Sequence, residues 1–398
     1  MKKTIWWATY NLLPTYLIIV DEGFFILLAG WVISKLTDSS LLTGILLSLP
    51  SIPYFFSYFT GTVIDLSRKK KLILLMLSLI VFMILLLSQI ALLADNLFFM
   101  ILLFYLSAIV FGFTANITDT IFSIWTKQNV DEKEYKKIIS IGRIILRGLG
   151  FLANALVGII LTFIFRFSII PTLVILAMAI FLSLPVNIKD RFNEGEKGIT
   201  FKESLIDGFN YVRKNKVLTQ ISILTLENLF FGILELLMIF YVQDFLHLGP
   251  IYYSILIITA QVGLLVGSIF ALRINKGKLG FYQFTLIAIM SICIASYDLI
   301  HYVFIAIIPT FLISFLSGIT STLGSVTQLR YINKEYWGRA SGFIQVISKG
   351  IFALSGPVGG ILIEILGIGG TYLLIGSIIF MFNFVRLKFK EYYNIEIK

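Results

Sequence analysis

The chain has 398 residues, of which 58% are hydrophobic and 14% charged, with a formal net charge of +10 and a mean hydropathy of +0.94. A soluble domain carries about 25% charged residues, so this composition excludes a soluble globular protein and specifies a polytopic membrane protein. The one cysteine, Cys293, excludes an internal disulfide framework and a cysteine-rich metal site, and the two histidines, His247 and His301, stand apart at predicted loop edges.

A spanning helix needs about 20 mostly apolar residues. Helices and closed barrels are the structures that pair their backbone groups inside a bilayer, and these apolar runs do not alternate as barrel strands do. The pattern predicts twelve helices, over 6–34, 41–65, 72–94, 97–126, 139–165, 169–187, 217–246, 251–273, 279–299, 303–329, 340–365 and 368–387. The start, Met1-Lys2-Lys3 before an apolar run, mimics a signal peptide. The run is too long for one and lacks a small-residue cleavage site, so it reads as a retained first helix.

That first helix carries Asp21-Glu22-Gly23-Phe24-Phe25 near its middle. A carboxylate at that depth costs roughly 2.5–3.5 kcal/mol on insertion scales. Adding 206 to each number gives Glu227-Asn228-Leu229-Phe230-Phe231 in the seventh helix. The same offset relates Gly61 to Gly267, Arg143 to Lys349 and Gly150 to Gly356. These matches indicate two six-helix halves in one orientation, related by an axis along the membrane normal. The halves are assigned to 1–187 and 217–387, with a tail at 388–398.

Basic residues set the orientation. Lys2, Lys3, Arg68 to Lys71, Lys127, Lys133, Lys136, Lys137, Arg273, Lys276, Lys278, Arg330, Lys334, Arg339, the middle loop and the tail fall on one side, with little beyond Lys35 and Arg166 on the other. The positive-inside rule puts both termini and the middle loop in the cytoplasm of a cell-membrane protein. The net charge is thereby a topology signal, with the lipid bilayer and not nucleic acid as its partner. Trp6, Trp7, Trp125 and Trp337 fall near that boundary and read as an interface belt.

The middle loop, 188–216, holds a polar linker and then Thr200 followed by Glu203, a capping-box pattern. Phe201, Leu205, Phe209 and Val212 form one apolar stripe. Two placements fit this amphipathic helix: flat on the inner membrane surface, or packed on the cytoplasmic ends of the bundle.

The segment Gly61-Thr-Val-Ile-Asp65-Leu-Ser-Arg68-Lys69-Lys70-Lys71 resembles the motif between helices 2 and 3 of the major facilitator superfamily. The preceding text, Trp31 to Gly44 with Pro50 and Pro53, is similar to its macrolide-efflux and siderophore-export branch. The resemblance spans the chain and implies an all-α integral membrane protein of twelve transmembrane helices in two parallel six-helix halves. It implies alternating access, a cavity lined by helices 1, 4, 7 and 10, and a monomer. It also makes Gly61, Asp65, Arg68 and Lys69 a cytoplasmic gate. The sequence departs from family patterns at Leu66, Ala271, Ala108 and Asn154-Ala155, which weakens the case for drug–proton antiport.

On this plan Asp21, Glu22, Glu227, Asn228 and Glu235 are the candidates for proton coupling or substrate binding. Neighbouring helical positions point about 100° apart, so Asp21 and Glu22 face different surroundings, and the spacing leaves open which faces a cavity. The alternative for each acid is a structural ion pair or hydrogen bond. Asp119 and Arg147 sit at similar depth on adjacent helices and are expected to form an intramembrane ion pair. Gly150, Gly158, Gly356, Gly359 and Gly360 are expected to allow close helix packing.

No Gly-x-x-x-x-Gly-Lys-Ser/Thr loop is present, so ATP is not the expected energy source. The expected function is secondary transport without a cofactor, driven by a proton gradient and exporting a small amphipathic or cationic compound. Uptake of a polar solute on the same fold is the alternative. A membrane enzyme is disfavoured because neither histidine has catalytic company.

Overall fold

Backbone surrounded by hydrocarbon must pair its polar groups within its own segment, and every long element among the described residues is a helix. The computed structural model describes residues 2–57, 60, 64, 67, 69–129, 132–186, 201–274, 276–333 and 337–397. Within these, the backbone alone is described at 2–9, 123, 126–129, 132–141, 143, 144, 201–205, 329, 337–339 and 341. The chain divides into two compact units, Met1–Asp38 with Leu46–Ile199, and Ser39–Ile45 with Thr200–Lys398.

The first unit contains α1 (Lys2–Thr37), a 3-10 segment (Leu49–Phe56), α3 (Lys70–Leu93), α4 (Leu97–Asn129), α5 (Glu132–Phe163) and α6 (Ile170–Ser183); α2 (Ser40–Ser48) begins in the second unit and ends in the first. Side chains complete the backbone pairing at the ends. Asn96 Oδ1 accepts from Phe99 N at the start of α4 (3.1 Å). Lys71 Nζ donates to the carbonyls of Leu184 (2.6 Å) and Val186 (2.8 Å) just past α6, the position where a cation best complements a helix end. Gln89 bridges the turn before α6, donating to Arg166 O (2.7 Å) and accepting from Ile169 N (3.2 Å).

The second unit holds α7 (Phe201–Lys214), α8 (Lys216–Leu224), a 3-10 turn (Thr225–Glu227), α9 (Asn228–Phe240), a π segment (Tyr241–Phe245), α10 (Pro250–Ala271), α11 (Leu279–Ala295), α12 (Val303–Tyr331), α13 (Trp337–Phe352) and α14 (Ser355–Asn383), then α15 (Val385–Lys388) and α16 (Lys390–Tyr393). Asn215 separates α7 from α8: its Oδ1 accepts from Val217 N (3.0 Å) and Leu218 N (3.3 Å), a capping arrangement. Glycines bring α10 and α12 together. A Cβ on Gly267 would lie 1.9 Å from Phe315 O, and one on Gly318 would lie 2.3 Å from Leu264 O. Without a hydrophobic force between helices in lipid, such contact is what holds them.

Among the described residues, ten helical stretches are long and apolar enough to cross a membrane. One of them, Gly342–Lys388, holds two spans, because Gly367 breaks α14 with φ 70°. A shorter apolar stretch, Ser40–Phe56, stands at the second predicted span. With these two, the fold matches the twelve helices expected.

The structure differs from several sequence expectations. Trp125 is 1% exposed, so it is a core residue and not part of an interface belt. A Cβ on Gly150 would meet nothing within 4 Å, so Gly150 is not a close-packing glycine. Gly359 lies against Ile233 and Gly360 against Leu41, with added Cβ atoms at 2.9 and 2.6 Å. Gly356 O would be 2.1 Å from a Cβ on Gly44, and Gly158 is buried within α5. The middle helix α7 packs its Val212 into the core of the second unit, beside Leu218 and Ile344.

The tail is also built into that unit. Leu279 N donates to Ile395 O (2.8 Å) and Ile397 N to Gly277 O (2.9 Å). Tyr392 N donates to Gln220 Oε1 (2.8 Å), and Arg330 donates to Glu396 O (2.9 Å). Residues 389–397 thereby strap together the ends of α8, α11 and α12.

Candidate transport site

Helix α1 buries Ile18, Asp21, Phe25, Leu28 and Val32, all at 0% exposure. Their spacing of three and four is that of one helical face turned to a core. Asp21 therefore occupies a position that hydrophobic residues hold above and below it. Phe25 packs on Phe104 and Phe111 of α4, with ring centroids 5.9 and 5.4 Å apart. Both oxygens of Asp21 are buried without a hydrogen-bond partner. An unpaired ionised carboxylate in such a place is very costly, whereas a neutral acid is far less so.

Glu22, one position on, is half-buried on a different face. It and Asp119 of α4 both lie within electrostatic reach of Tyr54, in the 3-10 segment. Nearby on α4, Asn116 Oδ1 accepts from Thr60 Oγ1 (2.9 Å). The structure thus brings Glu22 and Asp119 round one tyrosine, and turns Asp21 away into the core. Asp119 and Arg147 are both exposed. The ion pairs joining described residues include Arg166–Asp95, Lys216–Glu391 and Arg386–Glu227, and an Asp119–Arg147 pair is not among them.

Glu227, the counterpart of Asp21 at the 206-residue offset, has a different environment. Arg386 of α15 grips it in a bidentate pair, Nη1 to Oε1 and Nη2 to Oε2. The side chains are 4% and 5% exposed. Arg386 Nη1 also donates to Asn383 Oδ1 (3.1 Å), whose Nδ2 donates to Phe284 O (2.8 Å). Sequence reasoning passed over Arg386 and Asn383. The repeat held a signal for them: subtracting 206 gives Ile180 and Ala177 in the first half, so the partners exist in one half only.

Asn228 donates from Nδ2 to Ser348 Oγ (2.8 Å), which ties α9 to α13. Glu235, two turns further along α9, is exposed and within electrostatic reach of Tyr253 on α10. A carboxyl group in mid-span faces the bundle interior or a water-filled cavity, because hydrocarbon would not tolerate it. Of the gate motif, Gly61, Asp65 and Arg68 lie outside the described residues, and Lys69 is exposed just before α3.

Comparisons agree with this architecture. No curated protein matches the chain significantly. The structure of the nucleoside transporter NupG is similar, with a TM-score of 0.74 and 14% identity, over 97% of this chain and 99% of that one. A D-xylose-proton symporter gives 0.74 and 12%, over 97% of each chain. The human organic anion transporter TETRAN gives 0.65 and 13%, over 97% of this chain and 99% of that one. At such identities the likeness speaks for the fold. The family itself follows from sequence: the model described as Major Facilitator Superfamily matches residues 12–357, and with the twelve-helix fold this places the chain in that superfamily of membrane transporters.

Proposed function

We propose that the chain is a proton-coupled exporter of a small cationic or amphipathic compound, and that Asp21 carries the coupling proton. The observation behind this reading is the complete burial of both Asp21 oxygens without a partner. In this conformation Asp21 fits as a neutral acid. Losing its proton requires that the helix face opens or that a cation arrives, since the bare carboxylate has nothing to neutralise it. A protein that alternates between a state sealing Asp21 and a state exposing it links proton binding to that change.

The exposed acids favour a cationic substrate. Glu235 and Asp119 place carboxyl groups on the spanning helices α9 and α4. Glu227 belongs to the scaffold in this reading, because Arg386 already neutralises it. The basic loops favour a cell-membrane protein with both termini in the cytoplasm. The resemblance in fold to a nucleoside transporter and to a D-xylose-proton symporter favours a second reading, proton-coupled uptake of a polar solute.

Proteoliposomes loaded with a pH-sensitive dye distinguish these readings. Export predicts proton movement opposite to that of an added amphipathic cation, abolished by Asp21→Asn and retained by Glu227→Gln/Arg386→Gln. Protons moving with a sugar or nucleoside would establish uptake. Substrate transport without proton movement would overturn both.

A further inference from the structure

We infer that the cleft between α7, α8 and the end of α12 is a binding site for the phosphate headgroup of an anionic phospholipid. Tyr211, Lys214, Asn215, Lys216, Tyr331 and Asn333 line an open cleft of about 540 Å³. Its chemistry is that of a phosphate site: two ammonium groups, two phenols and two amides. Lys214 is exposed. Asn215 uses its Oδ1 to cap α8, which leaves its Nδ2 as a donor. Asn333 N donates to Tyr211 Oη (3.0 Å) and closes one wall. Lys216 shares its ammonium with Glu391 (3.2 Å). Gln220 Nε2 holds that carboxylate from the other side (2.7 Å), so the acid is anchored outside the cleft and steadies the lysine.

Two features select a lipid over a soluble anion. The cleft opens where a membrane-spanning stretch begins, since Lys216 is the first residue of the span Lys216–Phe245. The helix that leads into the cleft also keeps an apolar surface of its own. Ile206 and Phe209 are 46% and 44% exposed on α7, although Val212 and Gly208 on the same helix are buried. A stripe that stays apolar after packing, next to Arg213 and Lys214, suits the headgroup and upper acyl region of a bilayer. The segment 201–216 holds the basic residues Lys202, Arg213, Lys214 and Lys216 against the acids Glu203 and Asp207, so its charge favours an anionic leaflet.

Native mass spectrometry of the full chain, released from detergent with phosphatidylglycerol or phosphatidylcholine, tests the site. The wild type should retain phosphatidylglycerol preferentially. Lys214→Gln/Lys216→Gln should lower that retention about thirtyfold, as expected for two basic residues at a lipid surface, and Lys214→Arg should keep it. Arg273→Gln/Lys276→Gln, removing equal charge elsewhere, should also keep it. Ile206→Ser/Phe209→Ser should weaken retention without changing the charge. Equal retention by the Lys214/Lys216 variant, or equal loss in the Arg273/Lys276 control, would overturn the site. Displacement of the lipid by millimolar inorganic phosphate would overturn the lipid assignment in favour of a soluble anion.

Discussion

Replacing Arg386 by Gln leaves Glu227 as a buried acid without its cation. The pair is bidentate, and its side chains are 5% exposed or less. Removing one partner of such a pair costs roughly 3–5 kcal/mol, because the surviving charge cannot be hydrated. Replacing both by neutral residues of similar shape is close to neutral, within about 1 kcal/mol, because desolvation offsets most of the attraction. Glu227→Gln/Arg386→Gln should therefore recover most of what Arg386→Gln loses. Cys293, the chain's one cysteine, is half-buried in α11 of the same unit. A thiol-reactive dye in a heated detergent sample thus reports unfolding where the pair resides. An Arg386→Gln variant as stable as wild type would refute the reasoning. A double variant as unstable as the single would show that packing of the long side chains, and not their charge, holds α15 to the turn before α9.

Other expectations follow from the same contacts. The Glu391 carboxyl is held down at about 2, by the hydrogen bond from Gln220 first and with Lys216 adding to it, against an ordinary value of 4.5. A depressed carboxyl favours the docked tail above its ordinary value and loses that effect as pH falls toward about 2. Protection of residues 389–397 from hydrogen exchange should hold to pH 5 and decline below about 4; loss of protection on raising pH would contradict the assignment. Gly267→Ala places a Cβ 1.9 Å from Phe315 O. It should cost about 1–3 kcal/mol in the same dye assay, as overpacking does, whereas Gly150→Ala, with open space around it, should cost far less. Helix α6 packs along α1, and Ile180 stands where the second half has Arg386. Ile180→Arg should supply Asp21 with a fixed cation and abolish substrate-evoked proton movement; undiminished movement would mean the repeat does not align these positions.

The spans were legible because apolar runs of about 20 residues leave little choice in a bilayer. The last two were separable at Gly367 because glycine tolerates the positive φ found there. The acidic stretch was legible as unusual, and helical geometry required its two acids to diverge. The direction each faces depends on packing: Asp21 falls in register with Ile18 and Phe25, so it follows them into the core. Arg386 was less visible. A basic residue near the end of a span reads as a membrane anchor, and its partner lies 159 positions away. Trp125 misled for a related reason, since its nearness to a helix end said nothing of the helix face it occupies. The amphipathic stripe of α7 fitted both a membrane and a protein surface. The structure shows Val212 packed in the core, while Ile206 and Phe209, the latter edge-on to Phe343, stay partly exposed.

The central claim is that Asp21 is a neutral acid when sealed and gives up its proton during transport. Infrared difference spectroscopy of the reconstituted protein reads this directly. Addition of a transported substrate should bleach a carboxylic C=O band that is absent from Asp21→Asn and retained in Glu22→Gln. The same band persisting in Asp21→Asn, or no carboxylic band changing while substrate is carried, would contradict it.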